Sequence, residues 1–136
     1  MSEAGFQDPA DARPYYRLLG LKVDAGVPAG QSRVRLESRA DLENSRGDVH
    51  GGVVASMLDA AMGVAVRSTL QAGEGATTVS LTVNYLEPGR SKLIANARVV
   101  RTGRSLASAE AMVEDVSGRR VAHAVGTMRI LAARKP

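Results

Sequence analysis

The sequence predicts an α+β fold in which an antiparallel β-sheet packs against one long central helix. Three observations lead there. A run of small and apolar residues from about Gly52 to Leu70 has the length and all-round apolarity of a helix enclosed on most sides. Four segments after it, and one before it, alternate apolar and polar residues with the period of a strand. The separators between the later segments, "EPGR", "RTGR" and "DVSGR", carry the Gly, Pro and Ser of hairpin connections. One strand, one helix and then four strands in succession argue for an antiparallel sheet rather than βαβ units.

The elements follow in chain order. "PYYRLLGLKV" starts with Pro14, suited to a first helical position, and Gly20 ends a short helical turn. "SRVRLESR" sets Val34 and Leu36 against Arg33, Arg35 and Glu37, a half-buried strand. Residues 40–50 form a polar loop containing Asn44, Ser45, Gly47 and Asp48. In the helix, Val53, Val54, Met57, Leu58, Ala61, Met62, Val64 and Ala65 reach almost every direction, and "QAGEGA" closes it. Ala55, Ala60, Ala61 and Gly63 offer places for a sheet backbone to come near. Gly63 costs about 1 kcal/mol relative to Ala in a helix interior, so it calls for a packing reason. "TTVSLTVNYLEP" then alternates Val79, Leu81, Val83 and Tyr85, and "SKLIANARVVR", "SLASAEAMVED" and "RVAHAVGTMRIL" complete the strands.

Composition narrows the function classes. The 136 residues suit one domain at 14–136 behind a loose leader at 1–13, long enough to bury a core. With no cysteine there are no disulfides, thiolate metal sites or cysteine nucleophile. The N-terminus lacks the apolar stretch of a signal peptide. The longest apolar run, Val53 to Val66, is interrupted by Ser56, Asp59 and Gly63 and is shorter than the roughly 20 residues of a membrane span. A cytoplasmic protein without membrane contact is the expectation. The net charge of +4 is spread over singly placed basic residues with few aromatics. That pattern points away from nucleic acid and leaves room for a smaller polyanion. No metal-ligand spacing, G-x-S-x-G elbow or phosphate-binding loop is present.

One residue does not fit its surroundings. Asp59 lies in the middle of the apolar helix, where an unpaired carboxylate is expensive. It could face solvent, pair with an arginine or bond to nearby backbone. The loop before it suggests chemistry instead. "HGG" at the mouth of a helix leaves free backbone N–H groups at the positive end of the dipole, a site suited to a developing oxyanion.

Asn44, Gly47 and His50-Gly51-Gly52, followed by Leu58-Asp59 and Ala61 on an apolar helix, resemble the hotdog-fold acyl-CoA thioesterases of the phenylacetate-pathway, PaaI-like group. The resemblance extends through "VSLTVNYLEPGR" and the strands after it, covering roughly residues 14–131. It implies a sheet wrapped around the central helix and hydrolysis of acyl- or aryl-CoA to free acid and CoA. It also implies that Asp59 activates water or attacks the thioester directly, and that the Gly51 N–H polarises the carbonyl. By the same resemblance Asn44 orients that carbonyl, His50 fixes the loop and lines the thioester, and Thr78 holds the attacking water. Thr77 and Ser80 stand close enough to Thr78 to leave the choice of hydroxyl open. Arg104 and Ser105 fall where the family contacts CoA, and Arg90, Arg101, Arg119 and Arg120 are candidates for its phosphates. His123 and Glu110 read as structural. No cofactor is implied, because CoA is part of the substrate.

Helix geometry adds an expectation of its own. Eight residues from Gly51 to Asp59 span about 12 Å at 1.5 Å per residue, too far for both groups to meet at one thioester carbon. Two chains could supply one group each, which predicts a homodimer with two composite sites; members of the resembling family often pair further into homotetramers. Two other functions remain open: a non-catalytic acyl-CoA-binding regulatory module, and a hotdog hydratase or dehydratase. Acyl specificity is not legible at this level.

Overall fold

In a computed structural model, residues 13–134 are described. The expected leader therefore lies outside the described residues except for Arg13, which is the N-cap of the first helix. Helix α1 (Pro14–Leu19) begins on its proline and ends at Gly20, whose φ of 80° is the left-handed conformation glycine adopts without strain. Strand β1 (Lys22–Val23) is a two-residue addition that the alternation did not reveal. Strand β2 (Gln31–Glu37) shows the expected pattern, with Ser32, Val34 and Leu36 buried and the charged positions outward. Helix α2 (Gly51–Arg67) stops three residues before the expected Leu70. The hydroxyls of Ser68 and Thr69 turn back onto the carbonyls of Ala65 and Val66, both at 2.7 Å, and end the helix.

Four strands follow: β3 (Gly75–Tyr85), β4 (Lys92–Thr102), β5 (Leu106–Asp115) and β6 (Arg120–Leu131). The single sheet is antiparallel throughout, in the order β1-β2-β4-β5-β6-β3. "RTGR" and "DVSGR" connect neighbouring strands as expected. "EPGR" does not, because β3 pairs with β6 at the edge while β4 lies between β2 and β5. The N–H groups of Leu86 and Glu87 both donate to the Val121 carbonyl, and the Gly89 carbonyl accepts from Val49. Those bonds tie the link to β6 and to the loop that precedes α2.

The core lies between α2 and the inward faces of the strands. Met57, Leu58 and Met62 are fully buried against Val34, Leu93, Val113 and Val121, and β5 contributes only Ala107, Ala109 and Ala111 besides Val113. Alanines on the strand let the sheet approach the helix closely. The Ser32 hydroxyl donates to the Ala61 carbonyl at 2.6 Å and so pins β2 to the middle of α2. Gly63 has a different reason from the expected sheet contact. A Cβ there would stand 2.9 Å from Nη1 of Arg67, whose guanidinium occupies that space and donates to the Tyr16 hydroxyl at 3.1 Å. Leu58→Ala would leave a cavity in this closed core and cost about 2–5 kcal/mol. The expected result is a lower urea midpoint at an unchanged slope.

Strand β3 departs from simple alternation. Thr78 is opposite Met128 and Ser80 opposite Thr127, so Val79 is an extra residue in a bulge. Val79 is 59% exposed rather than sharing the inward face of Leu81 and Val83. The bulge reverses the parity of the strand before it. Ala76 and Thr78 then face the helix, where uninterrupted alternation would have sent Thr77.

Candidate active site

The loop before α2 is built around Asn44. Its Oδ1 accepts the N–H groups of Arg46 at 2.9 Å and Asp48 at 3.1 Å, an Asx turn. Two backbone donors require the oxygen on that side, so the amide Nδ2 is the end left to bind an acceptor. Arg90 clamps the same loop, with Nε 2.5 Å from Asp48 Oδ1 and Nη2 3.1 Å from the Arg46 carbonyl. The hydrogen bond to Asp48, reinforced by its charge, raises the pKa of Arg90 above the ordinary guanidinium value. The His50 N–H bonds to the Leu42 carbonyl, and His50 Nδ1 accepts the Gly52 N–H at 2.8 Å. A neutral His50 therefore carries its proton on Nε2.

Gly51 is the first residue of α2, and its N–H has no acceptor among the described residues. It is a donor at the positive end of a helix 17 residues long. Tyr85, at the end of β3, donates its hydroxyl to the Gly51 carbonyl at 2.7 Å. Between these groups lies an open cavity of about 340 Å³, lined by Asn44, Gly51, Val54, Tyr85, Leu86 and Val121.

Asp59 occupies a separate place, two turns further along α2. It is half-buried and makes no ion pair among the described residues, so the arginine explanation for it does not apply. Thr78 donates its hydroxyl to Asp59 Oδ1 at 2.6 Å, and Oδ2 has no partner among the described residues. The bulge at Val79 decides that Thr78, rather than Thr77 or Ser80, makes this contact. Tyr15 of α1 lies along the same side of α2, its hydroxyl 2.8 Å from Ser56 Oγ, which donates in turn to the Gly52 carbonyl.

The residues singled out from the sequence thus form two groups. Asn44, His50, Gly51 and Arg90 meet at the helix mouth, and Asp59 and Thr78 meet midway along the helix. Arg101 on β4, and Arg104 and Ser105 in the β4–β5 turn, are exposed at the opposite end of β4 from the link that borders the cavity. Within one chain they are not brought to the helix mouth. Tyr85 stands out in the sequence as one of the few large side chains available to an acyl pocket, but its bond to the helix mouth has no sequence signal. It is the last apolar position of the β3 alternation, which was enough to place it on the helix side of the sheet. The Asp48–Arg90 clamp joins residues 42 apart and has no local signal.

A family model described as the thioesterase superfamily matches residues 46–122, more than half of the chain and all of the stretch from the helix mouth to β6. The chain belongs to the thioesterase superfamily. It is a thioester hydrolase with the hotdog fold. It is 30% identical over 132 residues to a medium/long-chain acyl-CoA thioesterase of Salmonella typhimurium, covering 86% of this chain and 85% of that one. It is 39% identical over 112 residues to a Halobacterium salinarum protein whose name assigns it provisionally to the esterases, covering 79% of this chain and 74% of that one. Among solved structures, the PaaI protein of the E. coli phenylacetic acid degradation operon shares the fold. Its TM-score is 0.83 at 22% identity, over 90% of this chain and 88% of that one. A Bacillus halodurans protein solved with CoA is similar at a TM-score of 0.71 and 35% identity, over 73% of this chain and 66% of that one.

Proposed function

We propose that this thioesterase hydrolyses acyl-CoA at composite sites, with the Gly51 N–H of one copy polarising the thioester carbonyl and Asp59 of a second copy activating water. The observation that carries this reading is the separation of two half-sites on one helix. A free N–H stands at its mouth, and a Thr78-held carboxylate with an open oxygen stands two turns, about 12 Å, away. A thioester carbon needs both within hydrogen-bond reach. Strand β3 supports the pairing of two copies. It is an 11-residue edge strand with one side of its ladder open, carries exposed Val79, and brings Thr78 and Asp59 to that edge.

In this reading Asp59 takes a proton from water as the hydroxide adds to the carbonyl carbon. The developing oxyanion is met by the Gly51 N–H and by the Asn44 amide. Collapse of the intermediate breaks the C–S bond, and the thiolate leaves with little need of an acid. The Thr78 hydroxyl occupies one oxygen of Asp59 and turns the other toward the water. His50 keeps the first turn of the helix closed. Arg101 and Arg104 make no ion pair among the described residues and are open to CoA phosphates, with Ser105 beside them. Arg90 serves the loop instead. CoA enters as part of the substrate, and the reading uses no cofactor. The relative acting on medium- and long-chain acyl-CoA, and the CoA-bound neighbour, support the substrate class.

The test is thiol release from a panel of aryl and aliphatic acyl-CoAs. Release supports the reading, and binding without release would make the chain a regulatory module. Thr78→Val removes the bond to Asp59 and keeps the shape. It is expected to lower kcat about tenfold with KM nearly unchanged in the same assay.

A further inference from the structure

The helix that carries the proposed oxyanion donor begins with two consecutive glycines, Gly51 and Gly52. Glycine leaves the backbone torsions loose, and the first N–H groups of a helix have no partner within it. The plane that carries the Gly51 N–H is anchored on its carbonyl side, where His50 accepts from Val53 at 2.9 Å and Val54 at 3.1 Å, and its orientation is completed by the next plane along. The structure shows that the peptide plane between Gly51 and Gly52 is gripped at both ends. His50 Nδ1 accepts its N–H at 2.8 Å, and the Tyr85 hydroxyl donates to its C=O at 2.7 Å. The Gly51 N–H is one Cα away from this clamped plane.

The grip on the carbonyl comes from the sheet. The Tyr85 ring lies so close to Gly51 that a Cβ there would be 3.4 Å from its Cε1, Cζ and hydroxyl. Tyr85 is 56% exposed and borders the cavity at the helix mouth. A tyrosine this exposed contributes little to the core, yet its hydroxyl is committed to one backbone carbonyl. The same strand carries Thr78, so β3 references both the Gly51 end of the helix and Asp59.

We propose that Tyr85 is a positioning residue: its hydroxyl holds the Gly51–Gly52 peptide so that the Gly51 N–H stays aimed at the substrate carbonyl, and its ring forms the wall against which the thioester sits. This rests on the hydrolase reading above. The hydroxyl and the ring have separable effects. Losing the bond alone lets the donor wander, which weakens stabilisation of the transition state more than binding of the ground state. Losing the ring as well removes apolar surface that substrate covers in both states.

The experiment compares Tyr85→Phe and Tyr85→Leu with the unaltered chain and with Asp59→Asn, on one acyl-CoA. Amide exchange of Gly51 and Gly52 is followed by NMR in parallel. Tyr85→Phe is expected to lower kcat about tenfold with KM within about twofold, and to speed exchange at Gly52, whose N–H is bonded to His50, while Gly51, already unbonded, and the middle of α2 are unaffected. Tyr85→Leu is expected to show the same kcat loss with a raised KM. Unchanged kcat and exchange in Tyr85→Phe overturns the proposal. So does a rise in KM alone, which would make the hydroxyl a direct substrate contact. If the unaltered chain releases no thiol, the acyl-CoA reading fails instead, and if Asp59→Asn matches the unaltered chain, the role given to Asp59 fails. The exchange rates then decide by themselves whether Tyr85 holds the peptide.

Discussion

Asp59→Asn is expected to reduce thiol release by about a thousandfold or more, within the range a general base or carboxylate nucleophile supplies. The substitution is well suited to separating chemistry from folding. Asparagine has nearly the shape of aspartate, and its Oδ1 can still accept the Thr78 hydroxyl that Asp59 accepts at 2.6 Å. What disappears is the charge and basicity of the open oxygen. Thermal unfolding should therefore move little, and the circular dichroism spectrum should stay as it was. Retention of more than a tenth of the normal rate across the acyl-CoA panel would remove Asp59 from the mechanism.

The second large effect concerns the other half-site. Gly51→Pro deletes the N–H and sets the proline Cδ in its place at the cavity wall. Gly51 is the first helical residue, where proline is well tolerated, and His50 has φ −57° and ψ 139°, the extended conformation a residue before proline prefers. A carbon added at Gly51 meets the Tyr85 ring at ordinary contact distance. The helix should form, and kcat should fall by about a hundredfold or more, since one oxyanion donor is lost and Cδ crowds the place the oxyanion would take. The two defects together make a sharper test. In a dimer of one Asp59→Asn chain and one Gly51→Pro chain, one composite site carries both defects and the other carries neither. Random reassortment gives about half mixed dimers, each with one intact site of two, so roughly a quarter of the unaltered activity should return. If both groups acted within one chain, mixing would restore nothing.

Much of this molecule is legible in its sequence. The enclosed helix, the inward alternation of β2, β4, β5 and β6, the cap at Gly20 and the free N–H groups at the His-Gly-Gly mouth are all local. Each depends on the period of the side chains or on the chemistry of a helix end. The misfit of Asp59 was equally plain, because a carboxylate in an apolar helix stands out in one dimension. The argument for two chains also came from the sequence, since the rise of a helix sets the separation of Gly51 and Asp59 whatever packs around it.

The remainder depended on pairing between distant segments. The β3 alternation gave no sign that Val79 would bulge, and the bulge is what turns Thr78 rather than Thr77 toward Asp59. "EPGR" has hairpin chemistry, yet it joins strands that never pair, because β3 finds its place at the edge beside β6. Arg90 reads as a free cation and becomes a clamp on Asp48, and Tyr85 reads as one more apolar position and becomes a hand on the Gly51 peptide. Local periodicity decided which residues face the helix. Strand order and register, set only when the whole sheet closes on that helix, decided which of them meet.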